Sequence, residues 1–435
     1  MTERYDAIVV GAGPAGSSAA LVMARNNISV LLLERGEAPG TKNMYGGTIY
    51  SKPTAKVVPA FWQKAPLERK VVSEELWMMD HDSAVKVGFT GLRFGESPYS
   101  KFTALRPNFD SWLAEQAVNN GATLRCNATA VDIIWEKIGL TNRKAAGIKL
   151  DTGEEIHADM IVLAEGCLAF LAEKAGLRKP LLAHDFTHYV KEVYALPEKT
   201  INSRFNLEKD EGASIGMLGF PTAGAIGKGG IWTNRESIAI SVGGYLDEMV
   251  KKGLSPYHIL NRMKKHPLVS RMIEGAELLE YKSHLIPKGG YKKIPTLIDN
   301  SLLVCGDAAM MISGRRGTDL AMLTGKMAGE AVAEAHALGD FTKKTLKNYE
   351  NKISKSFFLE NIRGGKGSKE YYEHHPDSDY LVATLANKLA YEFFDVELKS
   401  NKEVSKRIKE KILNLQPLEK TLEDLYHGLF HWRVF

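Results

Sequence analysis

Gly11-Ala-Gly-Pro-Ala-Gly16 restricts what this chain can become more than any other segment. It follows the apolar run Ala7-Ile-Val-Val10 and opens a helical stretch from Pro14 to Arg25. A strand that passes through a glycine turn straight into a helix gathers backbone amides and a positive helix end at one point, which is where a dinucleotide's pyrophosphate sits. Gly11, Gly13 and Gly16 admit the tight turn and the close backbone approach, and Pro14 and Ala15 begin the helix. A second apolar run, Val30-Leu-Leu-Leu33, delivers Glu34 where an acid for a ribose hydroxyl is expected, with Arg35 beside it. The pattern predicts a dinucleotide-binding α/β domain. Alone, it does not choose between nicotinamide and flavin dinucleotides.

A second signal makes that choice. The apolar stretch Ser301–Val304 runs into Cys305-Gly306-Asp307, and a glycine-rich turn, Gly314 to Gly317, opens another helical pattern from Thr318 to about His336. This arrangement suits the far end of a long cofactor. Gly306 makes the turn, Asp307 bonds ribityl hydroxyls, and the amides at Gly317 and Thr318 face the isoalloxazine, where a positive helix end favours negative charge on the ring. The two signals together predict FAD. Between them, Gly36 to Thr48 must cross the cofactor face. Gly46 and Gly47 there either let backbone approach the ring or form a surface turn. Arg106, at the foot of a helix predicted over 109–118, is placed for the cofactor's phosphates, a surface cap being the alternative. Ala130 and Gly166, beside two of the short β-patterned runs that follow, complete the expected cofactor positions.

Composition narrows the function further. The chain has 435 residues, enough for roughly two or three domains. No apolar run approaches the ~18 residues of a membrane span, and the chain enters a strand by Tyr5 without a basic-then-apolar leader. The expectation is a cytoplasmic protein. Cys126, Cys167 and Cys305 lack CxxC spacing, which argues against a disulfide framework or a metal or cluster site made by this chain alone. A net charge of +5 without interleaved aromatics argues against nucleic acid. There is no second GxGxxG-like fingerprint and no CxxxxC pair, so a dedicated nicotinamide domain is not expected.

Val304-Cys-Gly-Asp-Ala-Ala309, Gly317 and Ala321 to Gly325 resemble the flavin-ribityl motif of the FAD-dependent group that includes aromatic hydroxylases, geranylgeranyl reductases and electron-transfer-flavoprotein dehydrogenases. Further stretches resemble the FixC type of electron-transfer-flavoprotein:quinone oxidoreductases: Leu105-Arg-Pro-Asn-Phe-Asp-Ser-Trp-Leu113, Val190-Lys-Glu-Val193, Lys265-His-Pro267 and Glu280-Tyr-Lys-Ser-His-Leu-Ile-Pro-Lys-Gly-Gly290. Where that pattern has Gly-Val-Asn-Ser, this chain has Gly166-Cys-Leu-Ala169.

The resemblance implies an α/β (α+β) fold of the hydroxylase-like, glutathione-reductase type: a two-dinucleotide-binding Rossmann domain in pieces 1–75, 103–177 and 282–340, with an inserted mixed β-sheet quinone domain at 76–102 and 178–281. A helical region over 341–435 is expected to dock partners or a membrane surface. Gly229 and Gly230 match the family's quinone-domain glycine pair. The implied function is electron transfer from the alpha and beta subunits of an electron-transfer flavoprotein, through a separate small [4Fe–4S] ferredoxin-like subunit, to a membrane quinone, within a bifurcating assembly peripheral to the cytoplasmic membrane face. The cluster must come from another subunit because it needs four thiolates. Electron transfer requires no acid, base or nucleophile, so no catalytic residue is named. His266 and His284 read as structural, although His284 is an alternative quinone-protonating group. The competing reading is a prenyl-lipid alkene reductase of the geranylgeranyl type.

Overall fold

The computed structural model describes residues 4–41, 47–140, 142–364, 378–396 and 398–431. They fall into two compact units, each assembled from three pieces of chain. The first comprises Met1–Leu67, Ala104–Leu182 and Ile286–Gly365, and the second comprises Glu68–Thr103, Ala183–Leu285 and Lys366–Phe435.

The first unit is built on a parallel sheet. Its strands run in the order Ile298–Asp299, Leu302–Val304, Glu155–Leu163, Arg4–Val10, Val30–Leu33, Thr123–Arg125. Val30–Leu33 is buried along its whole length, as a central parallel strand covered on both faces must be. The antiparallel strands Ala130–Ile138 and Asn142–Leu150 extend the sheet beside Glu155–Leu163. Helix Pro14–Arg25 is buried from Pro14 to Ala24, because helices Thr318–Leu338 and Arg106–Val118 pack against it as well as the sheet.

The second unit carries a mixed sheet in the order Glu277–Pro287, Phe186–Ala195, Ser237–Tyr245, Gly227–Thr233, Glu211–Gly219, Lys70–Met79, Lys101–Thr103, with Ala84–Thr90 also paired to Lys70–Met79. Alternation separates its two faces. Val190, Ile240, Val242, Ile231, Ile215, Met217 and Trp77 point to one side, and helices Pro256–Lys265 and Pro267–Ile273 close over them with Leu260, Met263 and Val269. Burying these side chains is this unit's main driving force, about 1.5–3 kcal/mol for each large one.

Two differences from the expected organisation have physical causes. The second unit begins near residue 68 rather than 76, because the buried Arg69 guanidinium is bound inside it by Asn234 O, Asn202 Oδ1, Glu211 O and Arg235 O at 2.5–3.0 Å. The region 341–435 does not form a separate unit. Helix Lys343–Ser354 belongs to the first unit, where Leu346, Tyr349 and Ile353 are buried and Tyr349 Oη donates to Val304 O at 2.9 Å. Helix Ser378–Phe394 belongs to the second, where Asn387 Nδ2 donates to Met78 O at 2.8 Å. Among the described residues no helix is long and apolar enough to cross a membrane.

Candidate flavin site

Four of the first unit's strands end on one row. Val10 lies level with Leu33 and Leu163, and Leu163 with Val304. Because the four are parallel, the segments that leave them emerge together: Gly11 to Gly16, Glu34, Glu165-Gly166, and Gly306-Asp307. Signals up to 296 residues apart (11 to 307) thus converge at the carboxyl edge of one sheet, where ligands bind in open α/β folds.

The glycines at this edge do different work. Gly11 has φ +102°, and a Cβ there would lie 2.5 Å from Ala164 O. A Cβ at Gly16 would lie 1.8 Å from Gly11 O. Both positions are closed by the protein's own backbone. Gly13 and Gly166 differ, since a Cβ at either meets nothing within 4 Å. Gly13 caps helix Pro14–Arg25 without a side-chain bond, so the helix's leading amides and positive end face that open space. Together these features form a cradle that fits a pyrophosphate.

Glu34 is held over the turn. Its Oε2 accepts from Ala12 N at 3.1 Å and its Oε1 from Gly36 N at 2.7 Å. That fixes the carboxylate beside the glycine loop, as a ribose contact requires. Arg35 is exposed.

Asp307 anchors the other end. Gly306, at φ +68°, packs against Ala15, and its N–H donates to Thr324 Oγ1 at 3.1 Å, which sets the turn that presents the aspartate. Burial pushes the Asp307 carboxyl above its ordinary range, while Arg106, Lys288 and Arg178 pull against that. A carboxylate among three cations and near a helix start is a polar lining suited to hydroxyls.

Arg106 is engaged with protein groups. Its Nε and Nη2 fork onto Asp110 at 2.6 and 2.7 Å, and its Nη1 reaches Thr318 Oγ1 at 3.3 Å. It therefore ties one helix start to that of Thr318–Leu338, of which Gly317 is the N-cap. Ala130 is half-buried at the start of its strand, and Gly47 O accepts from Ala104 N at 3.1 Å. Gly46 lies outside the described residues.

Sequence reasoning missed Lys288, Arg178 and Thr324. Lys288 Nζ donates to Gly314 O at 3.1 Å in the loop before Thr318, and Arg178 Nη2 donates to Cys167 O at 2.8 Å. Lys288 had a signal, lying within Glu280–Gly290. Thr324 had one too, lying within Ala321 to Gly325, whereas Arg178 had none. Cys167 and Cys305 are buried, with thiols pushed up to about 12 by burial, the form in which sulfur is unreactive. His266 is the structural residue expected: it caps helix Pro267–Ile273 and its Nε2 lies 2.9 Å from Asp80 O.

In the second unit Gly229 and Gly230 point to opposite faces. A Cβ at Gly229 would lie 3.0 Å from Met263 Sδ on the helix-covered face, whereas one at Gly230 would lie 2.8 Å from the Trp232 ring on the other. Met217 and Phe358 are buried, whereas Phe357 is half exposed.

Comparison with known proteins places these features in a family. Residues 5–206 match the pyridine nucleotide-disulphide oxidoreductase family model. FixC of Azorhizobium caulinodans is 40% identical over 83% of each chain, and FixC of Azotobacter vinelandii is 34% identical over 100% of each. A probable electron transfer flavoprotein-quinone oxidoreductase of Escherichia coli, YdiS, is 33% identical over 93% of this chain and 94% of its own. Among solved structures, a geranylgeranyl bacteriochlorophyll reductase-like protein from Thermoplasma acidophilum superposes with a TM-score of 0.67 at 17% identity, covering 99% of this chain and 98% of that one. The myxobacterial chondrochloren halogenase CndH gives 0.62 at 16% identity, covering 96% and 91%.

Proposed function

The chain belongs to the FixC family of FAD-dependent electron-transfer oxidoreductases, and from that premise we propose that it takes electrons originating in an electron-transfer flavoprotein and passes them to a membrane quinone. The observation that carries this reading is the convergence of Gly13, Glu34, Gly166 and Asp307 at one sheet edge in a chain so similar to a quinone oxidoreductase. FAD bound there supplies the redox chemistry. The protein's part is binding and placement. Gly11, Gly13, Pro14, Ala15 and Gly16 hold the pyrophosphate, and Glu34 with Arg35 the adenosine ribose. Gly306 and Asp307 hold the ribityl chain. Arg106 fixes Thr318 and Gly317 at the ring end, with Gly46, Gly47, Ala130 and Gly166 giving backbone approach.

Three cysteines cannot supply the four thiolates of a [4Fe–4S] centre. The proposed route therefore runs through a separate ferredoxin-like subunit in an assembly with the flavoprotein's alpha and beta subunits, peripheral at a membrane surface. Gly230, on the face opposite helices Pro256–Lys265 and Pro267–Ile273, is the stronger quinone contact of the glycine pair.

The test is to reduce the bound flavin photochemically without oxygen, add a menaquinone analogue and follow visible absorbance in stopped flow. Fast, saturable reoxidation supports the quinone reading. Slow, non-saturating reoxidation overturns it in favour of prenyl-lipid reduction.

A further inference from the structure

One cation at the ring end of the first unit has no part in the chemistry described so far. Lys288 is half-buried and stands in the loop 288–290, which is clamped onto the turns that frame the cofactor site. A Cβ at Gly289 would lie 2.8 Å from Met310 Cε, and Met310 closes the turn Gly306–Ala309 at φ +60°. Lys288 Nζ donates to Gly314 O at 3.1 Å, at the head of the glycine turn whose Gly317 caps helix Thr318–Leu338. Two contacts thus hold the ammonium beside both the turn that presents Asp307 and the turn that starts the helix.

Its charge is uncommitted, unlike that of its neighbours. Arg106 is forked onto Asp110, and Arg178 donates to Cys167 O and lies 3.8 Å from Glu173. Arg316, before the helix, is paired with Asp319 at 2.6 Å. Lys288 differs. Its one hydrogen bond is to a neutral carbonyl, and among the described residues no carboxylate lies within ion-pairing distance of it. Burial pushes its ammonium below the ordinary value while Asp307 pulls the other way, so the two groups sense each other without touching. An ammonium carries three donors, of which the protein uses one. Desolvating a cation without an opposite charge is costly, and a cation kept at that cost in a binding cleft is a candidate for charge chemistry there.

We infer that Lys288 sets the electron affinity of the bound flavin: its ammonium, together with the positive end of helix Thr318–Leu338, stabilises the negative charge that the isoalloxazine gains on reduction. The inference rests on the cofactor placement proposed above and adds to it a residue outside the glycine and aspartate signals. Attraction of this kind acts on the anionic reduced ring and hardly on the neutral oxidised one, so it tightens reduced FAD selectively and raises the potential. It also offsets the opposing field of the Asp307 carboxylate. A purely structural tie between the loop and Gly314 would affect both redox forms alike.

The experiment compares Lys288→Gln, which keeps a donor for Gly314 O and loses the charge, with Lys288→Arg, which keeps both. Apoprotein is titrated with FAD, and the loaded protein with sulfite, whose addition at the flavin N5 leaves negative charge on the ring. The potential is read against a reference dye without oxygen. Lys288→Gln is expected to hold oxidised FAD within about twofold of the parent. It is expected to weaken sulfite about tenfold and to lower the potential by about 30 mV, the same factor for a two-electron couple. Lys288→Arg is expected to restore both. Unchanged sulfite affinity and potential in Lys288→Gln, or equal losses in the two variants, would overturn the inference and leave the cofactor site standing. The unaltered protein supplies a check that needs no variant to fold: it must bind sulfite saturably, and failure to do so overturns the inference. Unaltered FAD affinity in Asp307→Ala would overturn the cofactor placement, and the inference with it.

Discussion

A Cβ at position 325 would lie 2.0 Å from the carbonyl oxygen of Ala15, so Gly325 is the point at which helix Thr318–Leu338 meets helix Pro14–Arg25 backbone to backbone. Gly329 repeats the contact one turn on, where a Cβ would lie 2.7 Å from Ala19 O. The helix behind the pyrophosphate cradle and the helix behind Asp307 are thereby held at a fixed spacing.

Two glycine variants should accordingly fail in different ways. Gly325→Val must part the helices, and is expected to cost about 3 kcal/mol in urea unfolding, by overpacking, and to lose FAD as well. Gly13→Val places its side chain in open space. It is expected to leave the apoprotein within about 0.5 kcal/mol of the parent while weakening FAD at least about tenfold. Denaturation of apoprotein together with FAD titration separates the two effects.

Arg69 tests the second unit alone, since all four of its acceptors lie there. Arg69→Met strands the buried Asn234 carbonyl, the part-buried Glu211 and Arg235 carbonyls and the Asn202 amide oxygen, at an expected cost of about 3 kcal/mol in urea unfolding. Arg69→Lys recovers only part, because an ammonium cannot reproduce the fork.

Most of the candidate flavin site was legible because it is local. Each of its pieces is a strand running into a turn, and both the apolar run and the turn residue can be read directly. Parallel pairing then aligns Val10, Leu33, Leu163 and Val304 without further information. The cations around Asp307 were harder, because Arg178 and Lys288 lie in segments with no periodic signal and reach the carboxylate only through the tertiary fold. Arg69 was hidden for a similar reason: a lone arginine before a strand looks solvated until its four acceptors, contributed by residues 202 to 235, are assembled. The opposed orientation of Gly229 and Gly230 needed only the period of a strand, in which neighbours alternate.

Acid stability should report the Lys191–Glu280 pair. Burial pushes the Glu280 carboxyl up, but Lys282 and Lys191 overcome it and hold the carboxyl below its ordinary 4.5. A depressed carboxyl stabilises the fold above its unfolded pKa and loses that contribution as pH falls through the folded value. Lys191→Met removes one of the two cations and lets the folded carboxyl rise, so the acid-side loss is expected to be complete at higher pH. Stability at neutral pH should fall by about 3 kcal/mol, the low end for breaking a buried pair, since Lys282 remains. Urea midpoints between about pH 3.5 and 7 bracket the ordinary carboxylate range and check both changes.

The glycine pair gives the sharpest contrast between adjacent positions. At Gly229 a methyl group meets only the flexible end of Met263 and Pro221, so Gly229→Ala is expected to cost little and to leave the opposite face unaltered. At Gly230 the same methyl group lies 2.8 Å from the Trp232 ring and 3.0 Å from Ile215 O, and the backbone oxygen cannot give way. Trp232 must lift from the sheet instead. Gly230→Ala should therefore change tryptophan emission and slow reoxidation of reduced protein by menaquinone-4, whereas Gly229→Ala should do neither. Equal behaviour of the two variants would mean that Trp232 does not rest on Gly230 in solution.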